Sequence, residues 1–300
     1  MERPTPVSER FGWLGPEIAQ KEYEKYRDQF SHFFISKQTT PTQGKCTKLW
    51  DAAKKVLGHH IPTLNQAVGD CVSMGSTNAV DYLQCCNIEI NNINEEYRHT
   101  FPPYVYGVSR VLIGGQQGSQ QDGSCGVWAA KGVTAYGVLW SDYETVPAYS
   151  GPIAKDWGSN GPPQNFITYA TGYPVKTTAL VTSYTEVRDA IGNYYPVIVC
   201  SNRGFKMTPV VDKGKSWGVP SGQWGHCMCF IGVDDDPARP GCYLLNSWGK
   251  DAHGVPADDA PPGGMWVDAE TVNSMVSMGD SFAFSNLNGF PERILDYLLI

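Results

Sequence analysis

The chain has 300 residues, 41 % of them hydrophobic and 18 % charged, with nine Trp and sixteen Tyr among its aromatics. This supply of apolar side chains excludes disorder throughout. The formal charge of −7 leaves no basic surplus for nucleic acid, and no run of about 18 apolar residues offers a membrane span.

Behind Met1-Glu2-Arg3-Pro4 there is no apolar stretch of signal-peptide length, so export by that route is not expected. The nine cysteines are then expected to be mostly free thiols in a reducing compartment. Residues 17–34 read as a charged, aromatic-rich helix, with Tyr23, Tyr26, Phe30 and Phe33 or Phe34 near helical spacing. Residues 39–44 (TTPTQG) form a loop, and residues 45–57 (KCTKLWDAAKKVL) a second helix that Gly58 stops. Residues 69–84 place Val72, Ser76, Ala79, Val80 and Leu83 on one helical stripe. The small residues Gly75, Ser76 and Ala79 there suggest a central helix packed closely by its neighbours. Residues 114–126 (GGQQGSQQDGSCG) are a loop that suits either a linker or the lining of a cleft, and residues 127–136 are helical again. From Pro174 the pattern changes to short apolar runs at residues 197–200, 228–233, 242–245 and 265–267. Gly, Pro and Asp clusters separate these runs, as in an antiparallel sheet or barrel. Helices first and strands second predict an α+β arrangement in two lobes.

Three residues stand out chemically. Cys71 follows Gly69-Asp70 where the helical pattern begins, and a thiol in the first turn of a helix feels unsatisfied N–H groups that favour thiolate. His226 opens one predicted strand, and Asn246 closes the next. Each taken singly has an ordinary structural reading: a buried cysteine, a strand-edge histidine, a turn-forming asparagine. Together they supply a nucleophile, a base and a group to orient the base. Trp248 is placed to shield the Asn–His hydrogen bond from water. Gln66 is placed to donate its amide to an oxyanion beside the Cys71 N–H. The other clusters read as structural. Cys227 and Cys229 alternate away from His226 as small core residues, and Asp234-Asp235-Asp236 is an acidic turn without further calcium ligands.

With these residues in place the chain resembles the papain-like cysteine peptidases. Gln66 to Cys71 (QAVGDC) is similar to that family's nucleophile segment. Gly225-His226 with Phe230 to Asp234 is similar to its His-strand. Tyr243 to Gly249 (YLLNSWG), then Gly263 to Val267, is similar to its Asn-Ser-Trp-Gly segment and the following strand. Cys71 lies 155 positions before His226 and 175 before Asn246, slightly beyond the roughly 130–150 expected. Gly123-Ser124 is similar to the substrate loop, and Tyr149-Ser150-Gly151 to a Tyr-Pro-Tyr region.

The resemblance implies a papain-like fold with a helical left lobe, a β-barrel-like right lobe and a cleft between them. It divides the chain into an arm over residues 1–60, a peptidase domain over 61–268 with lobes at about 61–173 and 174–268, and an extension over 269–300. It also implies hydrolysis of peptide or protein substrates, with Cys71 as nucleophile, His226 as base and acid, Asn246 as orienter and Gln66 as oxyanion donor. Gly123, Ser124 and Trp248 would bind substrate, and no metal or organic cofactor is required.

The chain also departs from the family. Gln66 stands one position closer to the cysteine. Val68 replaces a disulfide cysteine, in keeping with a reducing compartment. Val72 replaces an aromatic residue. Asp70 replaces Ser; it is expected to cap the helix, with a charge that opposes thiolate formation. Residues 1–60 do not look like a long helical pro-segment, so autocatalytic activation is not implied. Two other readings stay open: a cell-wall peptide amidase, and a module serving in a larger assembly. The disulfide-free site and short arm resemble phage-encoded relatives, hence a cytoplasmic or virion-associated location.

Overall fold

The computed structural model describes residues 7–32 and 42–290. The first half carries α1 (Pro16–Tyr26), β1 (Ser31–His32), β2 (Cys46–Lys48), α2 (Leu49–Leu57), α3 (Cys71–Asn91), α4 (Pro102–Gly107), α5 (Gly126–Ala135), α6 (Gly151–Asn160) and α7 (Gln164–Ala170). The second half carries β3 (Val175–Leu180), α8 (Tyr184–Gly192), β4 (Val197–Phe205), β5 (Val210–Asp212), β6 (Lys215–Trp217), β7 (Pro220–Asp234), β8 (Gly241–Leu245), β9 (Gly264–Asp268), α9 (Ala269–Val276) and β10 (Phe282–Leu287). Among the described residues, no helix is long and apolar enough to cross a membrane.

Two expected helices come out shorter. The first ends at Tyr26, because Phe30 folds back to stack on Tyr23 with ring centroids 5.9 Å apart, and the chain passes through a 3-10 turn into β1. Phe33, Phe34 and Thr39 lie outside the described residues. The second loses its first turn to β2, where Cys46, Thr47 and Lys48 pair with Asp234, Val233 and Gly232 of β7. Local helical propensity there yields to a sheet edge that needs a partner. The stop at Gly58 is as expected: it closes α2 in the left-handed conformation with φ of 79°.

The strands form one sheet in the order β1-β3-β10-β4-β7-β8-β9-β6-β5, with β2 also on β7. It is antiparallel except at the β1–β3 and β6–β9 pairs. The four apolar runs lie in β4, β7, β8 and β9, and their residues are buried. Residues 269–290, expected as an extension, supply α9 and β10. Phe282, Ala283 and Phe284 are fully buried between β3 and β4, so this stretch belongs to the sheet.

The helix α3 runs past the expected residue 84 to Asn91 and is buried along almost its whole length. A Cβ at Gly75 would lie 3.0 Å from Cys227 Sγ and 3.1 Å from the Met228 carbonyl oxygen. The missing side chain therefore lets α3 lie directly on β7. This contact sets the first residue of α3, Cys71, against the stretch of β7 that holds His226.

Candidate active site

Cys71 occupies the first position of α3, and the N–H of Cys227 donates to its sulfur at 3.3 Å. His226, expected to open its strand, lies inside β7 because Pro220 to Gln223 extend the pairing with β4. It immediately precedes Cys227, and its Nε2 lies 2.8 Å from Asn246 Oδ1. The roles of the atoms follow from an unambiguous neighbour. The backbone N–H of Ser247 donates to Asn246 Oδ1 at 2.7 Å, so that atom is the oxygen and can only accept. His226 must then carry its proton on Nε2, which leaves Nδ1 with a lone pair. That nitrogen is buried and has no hydrogen-bond partner among the described residues; no hydrogen bond joins it to Cys71. The Trp248 ring lies 4.7 Å from the His226 ring and 4.8 Å from Trp224, so two indoles wall off the His–Asn pair.

Gln66 is tied to the same neighbourhood. Its Oε1 accepts from Ser247 Oγ at 2.7 Å, and its Nε2 donates to the carbonyls of Val68 and Arg10 at 2.9 and 2.8 Å. The second of these carbonyls belongs to the N-terminal arm, which sequence reasoning did not place here. Residues 10–14 cross the cleft over Cys71. The Gly12 N–H reaches the Cys71 sulfur and also donates to Gly225 O at 3.1 Å, while Trp13 N donates to the same oxygen at 2.9 Å. On the opposite wall, Ser124 N donates to Gly12 O at 2.8 Å and Leu14 N to Ser124 O at 3.0 Å, a parallel bridge between Trp13 and Ser124. Gly123 faces the same segment, with its ideal Cβ position 2.8 Å from a Leu14 methyl group. Phe11 packs its ring on His226, Trp248 and Trp224 at 6.1–6.4 Å. The arm is thus bound by the residues expected to bind substrate.

Trp13 anchors the segment. Its indole N–H donates to Asp280 Oδ2 at 2.8 Å, and the same carboxyl group accepts the Gly126 and Val127 N–H groups at the start of α5, both at 2.7 Å. Burial raises Asp280 to about 7.

The electrostatics are those of a closed site. Cys71 and His226 are fully buried. Burial pushes the Cys71 thiol well above its usual range, and burial lowers His226 to about 4. Both are neutral near pH 7, a thiol and an imidazole instead of an ion pair. Asp70 departs from expectation. It makes no side-chain cap of α3; its Oδ2 instead accepts from Tyr149 OH at 3.0 Å, and the Tyr149 oxygen accepts from Ala67 N at 2.8 Å. Burial raises Asp70 to about 8, so at neutral pH it brings no charge against Cys71.

Trp224, Asp280 and His253 were not singled out from the sequence. Trp224 carries a usable signal, since it stands two positions before His226 on one strand and so shares its face. Asp280 and His253 carry none, because both reach the site from loops.

No protein-family model matches the chain, and no curated protein sequence matches it. Solved structures do match. Xylellain, a cysteine protease from Xylella fastidiosa, superposes with a TM-score of 0.61 at 13 % identity, over 95 % of this chain and 98 % of its own. Digestive procathepsin L 3 of Tenebrio molitor larval midgut gives 0.58 at 13 % identity, over 93 % and 77 %. Procathepsin B S9 from Trypanosoma congolense gives 0.55 at 12 %, over 88 % and 82 %. At these identities the likeness is one of fold, and the α+β papain-like architecture expected from the sequence is the one observed.

Proposed function

We propose that the chain is a latent cysteine peptidase whose own N-terminal segment occupies the substrate cleft. One observation carries the reading: a stretch of polypeptide lies over Cys71, held through main-chain hydrogen bonds by Ser124 on one wall and Gly225 on the other. A groove that grips backbone on both sides suits peptide substrates of varied sequence.

Once the segment leaves, water reaches the site and the desolvation that holds both groups neutral falls. The Cys71 thiol gives its proton to His226 Nδ1, the lone pair left free by the Nε2–H bond to Asn246. The sulfur adds to the scissile carbonyl carbon, and the oxyanion takes hydrogen bonds from Gln66 Nε2 and the Cys71 N–H at the start of α3. His226 then protonates the departing amine, leaving a thioester on Cys71. Water attacks the thioester as His226 removes its proton, and release of the acid product restores the thiol. Gln66 Nε2 now donates to the Arg10 carbonyl, so one oxyanion donor is already matched to a peptide oxygen. Two of the matched structures are of pro-forms, in keeping with latency.

A mixed peptide library tests this reading with the segment removed by deletion of residues 1–14 or displaced by substitution. Cleavage is expected, and it is lost by at least about 10³-fold in Cys71→Ala. Equal cleavage by Cys71→Ala, or none by any displaced form, overturns it. The alternative of a non-catalytic module in an assembly is favoured by one fact, the missing hydrogen bond between His226 Nδ1 and Cys71; it predicts the second of those failures.

A further inference from the structure

The Asn246 side chain has a second histidine behind it. His253, buried in the loop after β8, has Nε2 2.9 Å from Asn246 Nδ2 and Nδ1 3.1 Å from the Met207 carbonyl. The polarity of every atom in this chain is determined from its ends. Met207 O can only accept, so His253 carries its proton on Nδ1 and offers Nε2 as an acceptor. At the other end the Ser247 N–H can only donate, which makes the near Asn246 atom its oxygen and the far one its NH2 group. The two deductions, made from opposite ends, agree on the Asn246–His253 bond. They also leave His226 one tautomer, protonated at Nε2 with its lone pair on Nδ1. The Trp224 and Trp248 rings flank His253 at 6.5 and 6.2 Å and keep the chain dry.

We propose that His253 is a positioning residue: it locks the Asn246 amide so that His226 presents Nδ1 to the nucleophile. The proposal rests on the peptidase reading for its kinetic consequence but not for its structural one. A buried amide N–H without an acceptor loses its hydration without replacement, which favours the Asn246 amide turning over at the expense of its bonds to His226 and Ser247. His253 supplies that acceptor. Its own orientation is held by the Met207 carbonyl, so β7, β8 and the segment leading to β5 meet in one hydrogen-bonded chain.

The test compares His253→Phe, which keeps a ring and removes the acceptor, with His253→Gln, whose side-chain oxygen can accept from Asn246. Two readouts are taken. One is kcat/KM in the cleft-opened protein, and the other is the His226 tautomer in the full chain from histidine ¹⁵N–¹H correlation spectra. In wild type the spectrum is expected to show His226 protonated at Nε2 alone. His253→Phe is expected to give mixed tautomers and a kcat/KM loss of about 10- to 100-fold, the rate equivalent of one lost buried acceptor, carried by kcat with KM little changed. His253→Gln is expected to recover most of both. An unchanged tautomer in His253→Phe overturns the proposal, as does a rate loss that Gln fails to restore while the spectrum stays wild-type. If the opened wild-type protein cleaves nothing, the peptidase reading fails and the tautomer alone decides for or against His253.

Discussion

Replacing Gly12 with alanine is expected to expel the N-terminal segment and expose Cys71. A Cβ there would lie 1.9 Å from the Gly69 carbonyl oxygen and 2.4 Å from its carbon, contacts no real structure tolerates. Neither side can yield cheaply. Gly69 leads directly into α3 and is itself closed in by Asp122 and the Phe11 carbonyl, and Gly12 is bonded to both walls of the cleft. At least six hydrogen bonds hold the segment: four between its backbone and that of Gly225 and Ser124, one from the Gln66 amide to the Arg10 carbonyl, and one from the Trp13 indole to Asp280. At about 1 kcal/mol net each, they hold the open form to roughly 10⁻⁴ of the population. Gly12→Ala is therefore expected to raise the rate of Cys71 alkylation at pH 7 by at least tenfold and up to about 10³-fold. Cys46 is the exposed cysteine and lies away from the cleft on β2, so its alkylation rate serves as an internal reference that should not move. Equal Cys71 rates in the two proteins would show that the segment does not control access.

Asp70→Asn is expected to make the protein more stable at pH 8 than wild type and to flatten its pH dependence. The sign follows from the raised value. The carboxyl group ordinarily titrates near 3.8, and burial raises it to about 8 in the folded chain. Between those values the folded state holds a proton that the unfolded state has released. Stability is therefore full below pH 4 and is lost as pH rises toward 8, at about 1.4 kcal/mol per pH unit. The whole effect is on the order of 5 kcal/mol, a large share of a typical domain's stability. Asparagine has the shape of the neutral acid and can still accept from Tyr149 OH. His226 works in the opposite direction: lowered from 6.5 to about 4, it gives stability that is present above pH 6.5 and lost as pH falls through 4. Asp280 contributes to the same alkaline slope as Asp70. The measurement is accordingly the difference between the two proteins in urea unfolding from pH 5 to 8. That difference should widen with pH, and parallel curves would contradict the assignment of Asp70 as a buried neutral acid.

The parts legible in the sequence were those written in side chains with a period or a spacing. The short continuous apolar runs of β4, β7, β8 and β9, bounded by Gly, Pro and Asp, gave the strand-rich half. The small residues along α3 anticipated its burial, with Gly75 lying on Met228 as the clearest case. Cys71 and Asn246 stood out because each flanks a readable element, whereas His226, expected to open its strand, lies inside β7, which begins six residues earlier at Pro220. The occluding segment was hidden for a physical reason: it is bound mainly through its own amides, and Gly12 and Gly225 contribute main chain alone to that contact. Trp13 and Phe11 are its side-chain anchors, yet their partners Asp280 and Trp224 lie more than 200 residues away. Asp70 was read as a charge because a sequence does not show burial. Lys45 to Lys48 read as helix because the demand for pairing comes from β7, far along the chain. His253 sits in a loop without periodicity, and only the hydrogen bond to Asn246 distinguishes it.

The most direct test of the account is adduct mapping with an epoxide-type thiol-peptidase inhibitor on the Gly12→Ala protein. Mass spectrometry should find the adduct on Cys71, and the same substitution combined with His226→Ala should lose it, because the thiol then has no base. Adducts confined to Cys46, or a Cys71 adduct that persists undiminished without His226, would contradict the claim that these two residues form a nucleophilic pair beneath the N-terminal segment.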